Sequence, residues 1–364
     1  MKHIQYMERA LELAKKGIQE VSPNPAVGAL LVKDGTIIGE GYHRGSGTLH
    51  AEIKAINSAG VSVEGATLYS TLEPCSTKYA GKKQAPCVER IIQEKISSVI
   101  ISSLDPNPHV NGKGVEMLEK AGIHVITGVL DEENKILNEV YIKNMSQSLP
   151  FVHIKIAQTI DGKIATGLRD SKWITDEKAR EDVHELRSCY DSILVGSGTV
   201  KYDDPLLTVR TVNRKSIKRL VVNSDLDIPL THRIFENQNE NPTMVITDKS
   251  VSMERQIPYK SRAIEILQIP SREKKRIDLT ILMRELYAEG IRSVLVEGGS
   301  EIFTSFIKDK IFDKISFYIA PKICGSGMDS TKELEIEYMV DAIELKNVQI
   351  RTINNQVVMT GYRN

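Results

Sequence analysis

His50 and Glu52 stand two residues apart in an H-A-E triplet, and two Pro-Cys pairs follow at Pro74-Cys75 and Pro86-Cys87. One imidazole and two thiolates are soft donors. They suit a tetrahedral Zn²⁺ whose fourth position stays open for water. Glu52 is not needed to hold the metal, so its place beside His50 suits a proton carrier for that water. Two plainer readings compete. Cys75 and Cys87 could form a disulfide, but no secretory leader is read: Met1 to Gly17 is an amphipathic helix with its own charges, and a cytoplasmic protein is expected. A closed structural zinc site would need a fourth protein ligand, and none stands out nearby. Cys189 and Cys324 lie in apolar surroundings and read as core thiols.

The flanking pattern supplies elements to position these groups. Thr67 to Leu72 reads as a strand that delivers Cys75 at its end, and His50 opens a helix that runs through Ala59. From Val88 the run V-E-R-I-I-Q-E-K is helical, which puts Cys87 at a helix start, where the thiolate is favoured. H-x-E followed by P-C and P-C is the arrangement of zinc nucleobase deaminases, with His/Cys/Cys on the metal and Glu off it. Upstream, residues 2–17 read as a helix with Ile4, Met7, Ala10, Leu11 and Ala14 on one face. Ser22-Pro23-Asn24-Pro25 is a rigid polar corner, and 27–32 with 37–40 is a hairpin around Asp34-Gly35. His43, seven residues before His50, reads as a substrate contact. Beyond Cys87, strands at 99–102 and 124–127 alternate with helices at 115–121 and 131–144, implying a three-layer α/β/α sandwich. The turn-rich loop Asp105 to Gly114 falls where strand ends gather and is expected to help line the pocket.

The 364 residues suggest two domains, with the boundary at the polar stretch Ser146 to Pro150: residues 1–146 and 150–364. Lys+Arg 48 against Asp+Glu 48 leaves no net charge, which argues against a nucleic-acid binder working by bulk electrostatics. No run of 18 apolar residues marks a membrane span.

The second half opens on an apolar strand, Phe151 to Ala157. A helix from Thr175 to about Ser188 follows, capped by Thr175, and then a buried strand at 193–195. Gly196 to Val200 reads as a tight turn of small residues that lets backbone approach a phosphate; Gly298-Gly299-Ser300, between a strand at 294–297 and a helix at 301–308, has the same physics. Further strands are read at 219–223 and 243–247, a helix at 281–290, connecting segments otherwise over 235–280, and closing strands at 314–320 and 348–360.

These pieces, taken together, resemble the bifunctional deaminase–reductase family of riboflavin biosynthesis along the whole chain. The matching motifs are S-P-N-P-x-V-G at 22–28, H-A-E at 50–52, T-L-E-P-C at 71–75, D-P-N-P at 105–108, D-G-K at 161–163, S-K-W-I-T at 171–175, D-D-P-x-L-T-x-R at 203–210, V-E-G-G at 296–299 and I-A-P-K at 319–322. The resemblance implies a cytidine-deaminase-like N-terminal domain and a C-terminal α/β domain similar to dihydrofolate reductase. It implies hydrolytic deamination of 2,5-diamino-6-ribosylamino-4(3H)-pyrimidinone 5′-phosphate, then NADPH-dependent reduction of the ribosyl chain to 5-amino-6-(5-phosphoribitylamino)uracil. Carried over by motif, His50, Cys75 and Cys87 hold zinc and Glu52 shuttles protons, while Asn24, His43 and Lys82 meet the deaminase substrate. Ala157, Trp173, Thr199, Asp203, Ser224, Gly299, Ser300, Glu301 and Ile302 contact NADP. Ser171, Arg187, Leu207, Arg210 and Glu297 face the reductase substrate, with Lys155 and Asp161 as candidates for the proton donor. The expected partners are this small phosphorylated pyrimidine and other copies of the chain, as a dimer or tetramer, with no nucleic acid and no membrane.

One departure stands out. Residues 76–86 put eleven residues between the cysteines, three more than the family's usual spacing, and Thr77 replaces the usual histidine. Zinc ligation tolerates the longer loop, because loop length adds little closure entropy. The alternative it leaves open is a paralogous deaminase–reductase for a related pyrimidine nucleotide. Two readings from other classes, a nucleic-acid-editing deaminase and an inactive zinc scaffold, are disfavoured by the neutral charge and by Glu52 respectively.

Overall fold

The computed structural model describes residues 2–76, 85–210, 216–272 and 276–364. Lys82 lies outside them. The chain divides into two compact units, Met1–Ser148 and Leu149–Asn364.

In the first unit, helix α1 (Lys2–Lys15) precedes the hairpin β1 (Gly28–Lys33) and β2 (Thr36–Tyr42), then α2 (Ala51–Ser58), β3 (Thr67–Leu72), α3 (Cys87–Gln93), β4 (Ser98–Ser103), α4 (Lys113–Lys120), β5 (His124–Thr127), α5 (Asp131–Leu137) and α6 (Glu139–Gln147). The sheet order is β2-β1-β3-β4-β5, with β1 antiparallel to both neighbours and β3, β4 and β5 parallel. Alternation along the strands divides the core between two faces. Leu30, Tyr69 and Ile100 pack with Met7 and Ala10 of α1. Leu31, Leu68, Val99 and Ile101 pack with Ala51, Ala55, Val88, Ile91 and Leu118 on the other side. This is the expected α/β/α sandwich. Two details differ from the sequence pattern. Ile4 is exposed and Leu13 buried, because α1 meets the sheet along a stripe that starts at Met7. The helix read over 131–144 breaks at Asn138, whose side chain instead bonds the backbone of Ala26 in both directions, with its oxygen accepting from the amide at 2.8 Å.

The second unit runs β6 (Phe151–Thr159), β7 (Lys163–Thr166), α7 (Glu177–Ser188), β8 (Ser192–Gly196), α8 (Ser197–Asp203), β9 (Lys218–Val222), β10 (Thr243–Asp248), α9 (Met253–Lys260), β11 (Glu265–Ile269), α10 (Leu279–Ala288), β12 (Ser293–Gly298), α11 (Ser300–Lys308), β13 (Lys314–Ala320), β14 (Gly327–Asp329), β15 (Leu345–Ile353) and β16 (Gln356–Arg363). Among the described residues its main sheet has nine strands in the order β11-β10-β9-β8-β12-β6-β13-β16-β15. Strands β6, β8, β9 and β12 are mutually parallel, so their C-terminal ends share one edge, where ligands of open α/β sheets bind. Ile154, Val294 and Val296 face Leu282, Leu286, Phe303 and Phe306 on one side; Ile193, Val195 and Val221 face Val200, Val245 and Tyr259 on the other.

Three local readings need correction. The N-cap of α7 is Asp176, which accepts from the Ala179 amide at 2.9 Å, so the helix starts one residue later than Thr175 implied. Gly196 to Val200 is not a bare turn: Gly196 caps the short helix α8. The stretch read as connections over 235–280 contains α9 and β11. Pro258 inside α9 hid that helix, since proline ordinarily interrupts one.

Candidate active sites

Three elements bring the metal donors together. His50 caps α2, Cys75 follows the end of β3, and Cys87 is the first residue of α3. Their ligand atoms lie within 4.8 Å of one another, the one such His/Cys/Asp/Glu cluster found among the described residues. The His50 Nδ1 lies 3.5 Å from the Cys75 sulfur and 3.3 Å from the Cys87 sulfur. Zn–S bonds of about 2.3 Å and Zn–N bonds of about 2.0 Å at a tetrahedral angle require roughly 3.5 Å between sulfur and nitrogen, so the donors fit the ion. The backbone amide of Cys87 also donates to the Cys75 sulfur at 3.3 Å, which favours the thiolate.

Glu52 sits in the first turn of α2 and is 3% exposed. Burial pushes its carboxyl up, against the pull of His50. A carboxyl that takes a proton readily is what a shuttle needs. Asn24 and His43 join the same cluster: the Asn24 amide nitrogen lies 3.1 Å from His43 Nε2, and the His43 ring meets His50 edge-on with centroids 5.4 Å apart. Burial lowers the His43 pKa from its ordinary value.

The second site gathers at the shared strand edge. Ala157 lies near the end of β6, Thr199 and Ser224 just beyond β8 and β9, and Glu297 with Gly299 at the end of β12. A Cβ on Gly298 would meet the Thr199 hydroxyl at 2.8 Å, and Gly299 has φ +84°; both positions need glycine. The N-terminal amides of α11 are therefore presented from a Gly-Gly turn, a cradle suited to an anionic group. Beside it, Glu297 is 5% exposed in its side chain and takes a two-pronged bond from Arg187, at 2.6 and 2.8 Å, with Lys155 3.7 Å away. Burial pushes the Glu297 carboxyl up, but Arg187 and Lys155 outweigh it and hold it down to about 2. Arg187 also donates to the Thr208 carbonyl at 3.2 Å, tying α7 to the segment that carries Leu207 and Arg210. Ser171 donates to Asp203 at 3.0 Å, and the Arg180 guanidinium lies over the exposed Trp173 ring at 4.4 Å.

Some of these side chains are engaged elsewhere in the chain. Leu207 packs in the core with φ +49°, which leaves only its backbone for a ligand. Glu301 turns away to pair with Lys332 at 2.5 Å, and Ile302 packs against the core; both could meet a ligand through backbone amides. Asp161 accepts from the Thr159 hydroxyl and from the amides of Cys324 and Gly325, which hold its carboxyl down to about 2 and make it an anchor for that turn. Cys189 and Cys324 are half-buried, not core thiols.

Two comparisons decide the family. The model of the cytidine and deoxycytidylate deaminase zinc-binding region matches residues 1–103, and that of the RibD C-terminal domain matches 150–359. The riboflavin biosynthesis protein RibD of Aquifex aeolicus is 40% identical over 97% of this chain and 96% of its own. The chain belongs to the RibD family. It is accordingly a bifunctional deaminase and reductase of riboflavin biosynthesis, and the alternative of a paralogue for another pyrimidine finds no support. Two solved RibD-family structures are similar over 100% of this chain and 99% of theirs. One, a diaminohydroxyphosphoribosylaminopyrimidine deaminase/5-amino-6-(5-phosphoribosylamino)uracil reductase from Thermotoga maritima, has a TM-score of 0.84 at 37% identity. The other, RibD from Acinetobacter baumannii, has 0.87 at 31%. No helix among the described residues is long and apolar enough to cross a membrane.

Two buried charges escaped the sequence reading. Glu73 (3% exposed) sits between β3 and Cys75, and Arg219 (fully buried) on β9. Arg219 donates to the carbonyls of Leu206 at 3.1 Å, Glu236 at 2.7 Å and Asn241 at 2.5 Å. The available signals were a glutamate inside the T-L-E-P-C motif and an arginine heading an apolar strand.

Proposed function

We propose that the N-terminal unit hydrolyses the ring amine of 2,5-diamino-6-ribosylamino-4(3H)-pyrimidinone 5′-phosphate and that the C-terminal unit reduces the ribosyl chain of the product with NADPH. The convergence of His50, Cys75 and Cys87 beside a buried Glu52 carries the first assignment. Zinc held by those three would supply a Lewis acid that makes water nucleophilic near neutral pH. Glu52 takes a proton from the attacking water and returns protons to the ring nitrogen and the departing amine. The new C–O bond replaces the C–N bond, and ammonia leaves. Asn24 and His43 orient the pyrimidine, helped by Lys82 from the loop between the cysteines.

In the C-terminal unit, NADPH would supply the hydride. Ala157, Trp173, Thr199, Asp203, Ser224 and the amides from Gly299 to Ile302 form its binding surface. The supporting observations are the Gly-Gly turn and the common edge of β6, β8, β9 and β12. Arg210 and Arg187, with Ser171, Glu297 and the Leu207 backbone, hold the phosphorylated substrate; guanidinium suits its phosphate. Lys155, whose pKa burial lowers, holds the proton that follows the hydride. The protein works in the cytoplasm as a homo-oligomer, a dimer or tetramer. The test measures ammonia release and NADPH oxidation side by side on this one substrate. The reading requires both, with ammonia first; NADPH oxidation without prior ammonia release refutes it.

A further inference from the structure

The T-L-E-P-C motif contains a carboxylate that the reaction above does not use. Glu73 is buried with both oxygens occupied by backbone amides. One oxygen accepts from Gly112 at 2.9 Å and Asp105 at 3.2 Å; the other accepts from Gly114 at 2.8 Å and Val115 at 3.3 Å. These donors come from the loop between β4 and α4 and from the first turn of α4. The carboxylate therefore collects orphan amides of a helix start across the chain, where negative charge is favoured. Its own amide donates to the Ser103 carbonyl at 3.0 Å, joining the ends of β3 and β4. A Cβ on Gly114 would lie 2.4 Å from the Pro74 carbonyl oxygen, so α4 begins directly against the residue before Cys75.

β3 and β4 are parallel, with Leu72 opposite Ser103. Cys75 and the loop from Asp105 onward thus leave the sheet at the same edge, and Gly114 abuts the residue before Cys75. We propose that Glu73 is a positioning residue for deamination: it fastens the 105–115 segment to the Cys75 end of β3, so that this segment is a fixed wall of the pyrimidine pocket. The inference rests on the zinc-deaminase reading of that unit. A second observation shows that the segment is built around the clamp. Asp105, whose amide meets Glu73, turns its own carboxylate onto the Tyr141 hydroxyl at 2.9 Å and the Asn107 amide at 2.9 Å, which closes the loop on α6.

Glu73→Gln keeps the shape but sets an NH₂ group against amide donors, which breaks one side of the clamp. In the full-length, zinc-loaded protein, the variant is expected to retain stoichiometric zinc and wild-type NADPH oxidation on the deaminated intermediate. Its deaminase KM should rise about tenfold, with a smaller fall in kcat, and hydrogen exchange at residues 105–115 should accelerate. Gly114→Ala, which keeps the Glu73 charge but crowds both the Pro74 carbonyl and the Glu73 carboxylate from the α4 side, should produce the same KM-weighted loss and covers the case in which Glu73→Gln does not fold. Unchanged KM and exchange in a folded variant would overturn the proposal. So would a loss of activity that tracks zinc content alone, since Glu73 would then support the metal and not the wall. A wild-type protein that released no ammonia would instead strike the deaminase reading itself.

Discussion

In the N-terminal unit, three donor atoms from α2, β3 and α3 already stand within 4.8 Å, and the buried acid Glu52 lies two residues from one of them. In the C-terminal unit, the groups assigned to chemistry are bound to each other: Arg187 and Lys155 hold Glu297, and Ser171 holds Asp203. The first site is arranged so that three donor atoms from separate elements converge. The second is arranged around charges that neutralise one another until a ligand competes for them. Removing a group should therefore have different consequences. In the first unit it should remove activity and leave the fold; in the second it should disturb both.

The sharpest separation comes from Glu52→Gln. Because Glu52 holds no structure that a glutamine cannot, deamination should fall by about 10²- to 10⁴-fold with zinc content and reduction unchanged; normal ammonia release would end the shuttle assignment. Arg187→Met should act on the fold as well. It leaves the buried Glu297 with Lys155 alone, and urea unfolding of the C-terminal unit should show a loss of about 3–5 kcal/mol. The double variant Arg187→Met/Glu297→Leu should recover part of that, because the unpaired carboxylate is gone and Lys155, whose pKa burial lowers, can give up its proton. If the single variant is as stable as the parent, the ion pair is not what holds this site together.

Arg210→Ala sharpens the contrast from the other side. The side chain is exposed, so its loss should spare stability while the reductase KM for the phosphorylated substrate rises about tenfold. An unchanged KM excludes Arg210 from phosphate binding. The smallest effect concerns pH. His153 is buried between the Tyr190 and Ser316 hydroxyls, at 2.6 and 2.8 Å, and burial holds its pKa well below 6.5. The unfolded chain takes up a proton as pH falls through about 6.5 and the folded unit does not, so stability is full above that pH and declines below it, by up to about 1.4 kcal/mol per pH unit. His153→Gln should flatten that decline; an equal slope in the variant would place its origin elsewhere.

The sequence was most legible where chemistry is local. H-A-E and the two Pro-Cys pairs announce a metal because ligand type and helix starts are written in adjacent residues. The strands were legible from their apolar runs, down to Phe151–Thr159 and Ser293–Gly298. The partners of Glu73 and Arg219 were not, because a buried charge held by backbone amides or carbonyls has no complementary side chain to find in the sequence. The same holds for Glu297: its motif pointed to substrate, but its bond to a residue 110 positions away emerges only when α7 crosses the end of β12. The split at Asn138 likewise depends on a contact with Ala26, 112 residues distant.

The two sulfurs are set by framework elements on either side of residues 76–86: Cys75 follows β3, Cys87 begins α3, and an amide-to-sulfur bond joins them directly. The spacing of the two sulfurs thus follows from β3, α3 and that bond. A change of length in the sequence between the cysteines is therefore expected to leave the zinc content of the purified protein as it is.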